Sequence, residues 1–133
     1  MPSILFVCVH NACRSQIAEA VFRKLVPDSW VIASAGSNPS DRVDAKAVEI
    51  LKKHQLTMNS ITPKGYSSLP AISWDYVVSM DQENQCPSVP SKKFVEWDVP
   101  DPEDGPMSLY EALFDNLMRR IRELIRDIEG SPL

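Results

Sequence analysis

Residues 4–9 read Ile-Leu-Phe-Val-Cys-Val, an apolar run with no polar interruption. A strand with one solvated face alternates apolar and polar side chains. An unbroken run is buried on both faces, an arrangement found almost only in parallel sheets covered by helices. After a short connection, Ser15 to Leu25 places Ile17, Ala18, Val21, Phe22 and Leu25 at helical spacing, and Pro27 ends the pattern. A buried strand followed at once by an amphipathic helix opens a βα unit, so the chain is committed to an α/β fold.

The alternation continues. Trp30–Ser34 predicts a second strand, closed by Gly36 and the turn-rich Ser37-Asn38-Pro39-Ser40. A helix follows from about Asp44 to His54 with Ala47, Val48 and Leu51 inward. Residues 57–73 hold two prolines and little periodicity, and are read as irregular with one short helix. Asp75–Met80 is a third strand, residues 81–92 a polar, proline-punctuated loop, and Lys93–Trp97 a short fourth strand. Ser108 and Glu111 have capping-box spacing ahead of a last helix. That helix turns Leu109, Leu113, Leu117, Ile121, Leu124, Ile125 and Ile128 to one face until Gly130. Its Arg119, Arg120, Arg122 and Arg126 interleave with acids and read as a solvated face. The expected architecture is one domain over residues 1–133, a small four-stranded parallel sheet with helices on both faces.

Charge and cysteine usage narrow the function. Lys plus Arg number 14 against 18 Asp plus Glu, a net charge of -4 that argues against nucleic acid as partner. No segment approaches a membrane span, and the first residues carry no basic leader, so a cytoplasmic protein is expected. Three cysteines, Cys8, Cys13 and Cys86, fit a reduced thiol protein better than a disulfide framework. With His10 and His54 they show no paired ligand spacing, so no metal site is expected.

The chemistry sits in the first turn, Cys8-Val9-His10-Asn11-Ala12-Cys13-Arg14-Ser15. Ligands of open α/β sheets bind beyond the carboxyl ends of the strands. A loop placed there, just before a helix, offers an anion backbone N–H groups and the positive end of the helix dipole. The backbone of Val9, His10, Asn11, Ala12, Cys13 and Arg14 forms such a cradle, with Cys8 at its floor, where the same field favours the thiolate. Arg14 supplies a bidentate fork suited to a tetrahedral oxyanion, and Ser15 can cap the helix and donate to the thiolate. Asp101, stiffened between Pro100 and Pro102, is a candidate proton donor for a leaving oxygen.

This loop, continued by Gln16-Ile17-Ala18-Glu19-Ala20, resembles the phosphate-binding loop of low-molecular-weight protein tyrosine phosphatases, whose fold the thioredoxin-type arsenate reductases share. Ser34-Ala35-Gly36 resembles the family's second-strand end, and Asp98-Val99-Pro100-Asp101-Pro102 its general-acid loop. The resemblance implies Cys8 as nucleophile, Arg14 as oxyanion clamp, Asn11 as loop brace, Ser15 as thiolate partner and Asp101 as general acid. It also implies that Lys64 stands where some reductases carry an acid that helps hold a monovalent cation, so that its ammonium replaces that cation beside Asn11, Glu19 and Ser34. His10 is read as a loop filler able to tune the pocket.

The two branches differ in how the cysteine adduct is resolved. A phosphatase hydrolyses a cysteinyl-phosphate with water; a reductase needs further thiols to supply two electrons. Ser15-Gln16 in place of Ser-Pro, Cys86-Pro87, and Lys93–Trp97 leading into the acid loop resemble the reductases. So do Glu103 and Asp104 where phosphatases pair tyrosines. Ala18–Leu25 and Met80-Asp81 with Asn84 resemble the phosphatases, and Gln82 stands where reductases carry an intermediate cysteine. Resolution is left to Cys86, to Cys13, or to an external thiol, thioredoxin or glutathione with glutaredoxin. The first reading is an arsenate reductase with no bound cofactor. The second is a phosphatase acting on phosphate monoesters, and the third a non-catalytic oxyanion-binding or redox-sensing module.

Overall fold

A computed structural model describes residues 2–57, 63–80 and 90–130. Strand β1 (Ser3–Cys8) leads to α1 (Arg14–Leu25), β2 (Val31–Gly36), α2 (Ala45–Lys53), a 3-10 turn (Tyr66–Ser68), β3 (Trp74–Ser79), β4 (Ser91–Glu96) and α3 (Met107–Gly130). The sheet order is β2-β1-β3-β4, with every pair parallel. All six residues of β1 are buried, as the unbroken apolar run requires. Register places Cys8 opposite Gly36 and Val7 opposite both Ala35 and Ser79. The carboxyl ends of β2, β1 and β3 are therefore level, and β1 has neighbours reached in opposite directions, the position at which such sheets open a crevice.

The two faces of β1 feed two cores. Ile4 and Phe6, with Ile32 and Val78, pack against apolar residues of α1, α2 and α3. Leu5 and Val7, with Ala35, Trp74 and Val77, gather under Tyr66 and Leu69 at the 3-10 turn. Helical cover thus lies on both faces: three α-helices on one and, among the described residues, a single 3-10 turn on the other.

The last helix departs from expectation at its start. It begins at Met107, so Ser108 lies inside the first turn, and Glu111 turns sideways to Lys53 and His54 of α2 instead of capping. Leu109 is 49% exposed, one position off the buried stripe, which Tyr110 and Phe114 complete. Arg120 is not simply solvated: its guanidinium lies 5.9 Å from the Trp97 ring centroid and Nε donates to Asn116. Cys86, Gln82 and Asn84 lie outside the described residues.

Candidate active site

The loop between β1 and α1 is held from outside by its carbonyls. Val9 O accepts from Asn38 N (2.8 Å), His10 O from Ser40 N (3.0 Å) and Ala12 O from Asp44 N (2.9 Å). In a trans peptide the N–H points opposite to the C=O. Tying these three carbonyls to the β2–α2 connection therefore turns the N–H groups of His10, Asn11 and Cys13 to the other side, a concave nest of donors at the head of α1 of the kind that suits an anion. Asn11 adopts the left-handed conformation the curve needs, φ 49°, which asparagine tolerates better than most residues. Gly36 closes the outer wall: a Cβ there would lie 2.5 Å from Val9 O, 2.8 Å from Cys8 O and 2.9 Å from Asn11 N. All three are backbone atoms, so no rotamer relieves the clash. Gly36→Ala should cost about 1–3 kcal/mol in denaturant unfolding and weaken orthophosphate binding together.

Hydrogen-bond polarity fixes the Asn11 side chain at the centre of the loop. Lys64 N donates to Asn11 Oδ1 (2.7 Å), and because a backbone N–H only donates, the Asn11 amide orientation is fixed. Gln16 Nε2 donates to the same oxygen (3.1 Å), and Asn11 Nδ2 donates to Ser15 Oγ (2.8 Å). Ser15 Oγ lies 2.9 Å from Cys8 Sγ, in a hydrogen bond that either atom can donate. The hydroxyl has a proton for the sulfur while it accepts from Asn11. Ser15 does not cap α1: the capping position is Cys13, with no side-chain bond, because the serine hydroxyl is occupied by Asn11 and Cys8. Gln16 as an anchor of Asn11 has no signature in the sequence.

Arg14 is buried, and Nη1 donates to Met80 O (2.6 Å) and Val99 O (3.0 Å). Met80 follows β3 directly and Val99 stands two residues before Asp101, so the guanidinium is oriented by both segments. Nη2 stands 3.7 Å from Asp101 Oδ2, while Asp101 Oδ1 accepts from Glu103 N (3.1 Å). Cys8, Arg14 and Asp101 line one cleft of about 340 Å³, with His10, Glu103 and Asp104 on its wall. His10 Nδ1 lies 3.1 Å from the Asn38 carbonyl; a carbonyl only accepts, so Nδ1 carries the proton. Cys13 reaches the cleft but belongs to the core. Burial, then Asp44, Asp101 and Cys8, push its thiol far above the ordinary range against the opposing effect of Arg14. Cys13 is therefore a neutral thiol, a poor attacking group.

Behind the loop, buried Glu19 accepts from Ser34 Oγ (2.5 Å) and Arg23 Nε (3.0 Å). Lys64 Nζ stands 3.6 Å from Glu19 Oε1 and 3.5 Å from Ser34 Oγ. The ammonium thus occupies the place anticipated for it, with its backbone N–H on Asn11. Among the described residues no cluster of three or more His, Cys, Asp or Glu could hold a metal ion.

Residues 3–131 match the family described as low molecular weight phosphotyrosine protein phosphatase. The chain belongs to that family. Members and relatives carry two kinds of name. A low molecular weight phosphotyrosine protein phosphatase of Gallus gallus is 41% identical over 90 residues, covering 62% of this chain and 56% of its own length. Arsenate reductase 2 of Staphylococcus haemolyticus is 30% identical over 122 residues, covering 90% of this chain and 92% of its own. The solved thioredoxin-dependent arsenate reductase of Corynebacterium glutamicum superposes with a TM-score of 0.81 at 31% identity, over 99% of this chain and 64% of that one. The chain therefore spans just over half the length of the avian family member and nearly all of the staphylococcal one.

Proposed function

We propose that this member of the low molecular weight phosphatase family is a thiol-dependent arsenate reductase. The observation that carries the reading is the cleft itself: a Cys8–Ser15 loop with outward carbonyls, and Glu103 and Asp104 at its mouth beside Asp101. Two carboxylates there give an aryl ring no aromatic face to stack on and repel acidic residues flanking a phosphotyrosine, whereas a small oxyanion needs only the floor. The alignment with the staphylococcal reductase over nearly its full length supports the same branch.

The reaction balances as follows. The Cys8 thiolate attacks arsenic, an As–O bond breaks, and Asp101 or a proton already on arsenate converts the departing oxygen to water. Arg14 and the loop N–H groups hold the remaining oxygens. A second thiol then attacks Cys8 Sγ, the S–As bond breaks with its electron pair on arsenic, and arsenite leaves as the two sulfurs form a disulfide. Neutral, buried Cys13 is poorly suited to that attack. The electrons are assigned to thioredoxin, or to glutathione with glutaredoxin, directly or through Cys86. No described helix is long and apolar enough to cross a membrane; a cytoplasmic setting, where such reductants reside, fits the free thiols.

The second reading is a phosphatase that shares the first step and hydrolyses the adduct with water; its support is the higher identity to the avian phosphatase, 41% over 90 residues. One preparation separates the readings. Arsenite is measured from arsenate with thioredoxin or glutathione–glutaredoxin supplied, beside p-nitrophenyl phosphate hydrolysis. Catalytic arsenite formation is expected. Ester hydrolysis without arsenite makes the protein a phosphatase; oxyanion binding with neither turnover makes it a binding or redox-sensing module.

Lys64 serves in this reading as a built-in cation. Turnover of the wild type should be equal in potassium and choline buffers of matched ionic strength, and Lys64→Met should become potassium-sensitive. An equal response of both proteins sinks that role.

A further inference from the structure

Asp44 meets three elements at once. Its backbone N–H donates to Ala12 O (2.9 Å), its Oδ1 accepts from Lys46 N (2.8 Å) and more weakly from Ala47 N (3.4 Å) at the head of α2, and its Oδ2 accepts from the Tyr110 hydroxyl (2.5 Å) of α3. A helix cap needs only the Oδ1 bonds. The remaining carboxylate oxygen is used by Tyr110, a side chain of the first turn of α3 that is 1% exposed, and the backbone N–H by the loop. Tyr110 and Asp44 both line the cleft that holds Cys8 and Arg14.

The bond to Ala12 O decides which way the Ala12–Cys13 peptide faces. Held outward, that carbonyl leaves the Cys13 N–H turned to the concave side of the loop. Released, the peptide can rotate and present its carbonyl oxygen to the anion instead, exchanging an attraction for a repulsion. Cys13 itself gives little resistance: its backbone lies at φ -138°, ψ -81°, outside the helix, and no side chain caps α1 there. The restraint must come from the other side of the peptide, and Asp44 is the group that supplies it. Asp44 in turn is braced by Tyr110, and the neighbouring Lys46 Nζ bonds Gly105 O just before α3, so the α2 head and the α3 head are joined on both sides of it.

We propose that Asp44, braced by the Tyr110 hydroxyl, is a positioning residue that holds the Ala12–Cys13 peptide with its N–H toward the bound oxyanion. The inference rests on the reading of the loop as a tetrahedral-anion site. It extends that site to α3, which contributes no atom to the loop.

The test uses the full-length protein and orthophosphate, titrated by NMR at the Cys13 amide. Tyr110→Phe removes only the hydroxyl. Asp44→Ser keeps a helix cap and the backbone N–H but cannot reach Tyr110. Each should weaken orthophosphate about three- to tenfold, the range of one lost orienting hydrogen bond, and should shift the Cys13 amide resonance in the free protein. The double variant should bind about as well as the weaker single one, because both act through one contact. Orthophosphate affinity and a Cys13 resonance like the wild type in Tyr110→Phe, even with a lowered Tm, would reduce the pair to a packing role and overturn the proposal. Multiplicative losses in the double variant overturn it as well. Failure of the wild type to bind orthophosphate would overturn the anion-site reading itself, and this inference with it, so the two failures are distinguishable.

Discussion

Cys8→Ser should lower arsenite formation and ester hydrolysis together, each on the order of 10^6-fold, while leaving the fold and the oxyanion affinity nearly intact. Cys8 is 2% exposed at the end of a fully buried strand, and serine is the smallest change that fits. What it removes is the nucleophile. The chain from Lys64 N and Gln16 through Asn11 sets Ser15 Oγ beside the atom at position 8. A cysteine there attacks through its sulfur; a serine hydroxyl stays a neutral alcohol, far less nucleophilic at neutral pH. The anion cradle does not depend on the sulfur, since its N–H groups are aimed by Asn38, Ser40 and Asp44. Orthophosphate should therefore bind Cys8→Ser at least as tightly as the wild type, free of repulsion from a thiolate. Turnover and binding measured on one preparation check both halves. Surviving turnover of either substrate would remove Cys8 as the nucleophile and, with it, the enzymatic reading.

What could be read from the chain alone follows the range of the forces involved. The β1 strand, the α1 stripe and the loop between them are local patterns, and the structure places them where hydrophobic periodicity and the proline after the helix put them, save that Leu25 at the helix end is exposed. That Asp101 and Arg14 belong to one site was legible only through family resemblance, since nothing local joins residues so far apart; their ion pair had no signature. The start of α3 was misread because a Ser-x-x-Glu spacing is a local signal that a tertiary contact overrides: Glu111 gains more from Lys53 and His54 than from capping. The i, i+4 spacing to Leu113 puts Leu109 on the apolar stripe, yet the helix phase sets Tyr110 there instead. Tyr110 and the carbonyls of Met80 and Val99 that steer Arg14 had no signature at all. A backbone carbonyl carries no residue identity, and an aromatic in an amphipathic helix reads as core, which Tyr110 also is. Recognition residues are often built this way, from a core side chain whose one polar atom reaches the site.

Asp101→Asn separates the two chemistries by the size of its effect. The loop should keep its shape, because the asparagine amide oxygen can still accept the Glu103 N–H that Asp101 Oδ1 holds at 3.1 Å, and the flanking prolines are unchanged. The amide can no longer give up a proton. Phosphate ester cleavage expels an alkoxide or phenoxide, so kcat/KM should fall about 10²–10⁴-fold for alkyl and phenyl esters and much less for p-nitrophenyl phosphate, whose leaving group needs little help. Arsenate brings its own protons to the departing oxygen, so adduct formation should suffer less than phenyl ester cleavage. Asp101 also stands 3.7 Å from Arg14, and losing its charge frees part of the guanidinium's attraction for the substrate. That change should lower the apparent Kd of orthophosphate even as ester turnover falls, a split between binding and chemistry that a merely structural carboxylate would not produce. Equal rates on phenyl and nitrophenyl esters relative to the wild type would remove Asp101 as the acid and leave its charge, paired with Arg14, as the whole of its role.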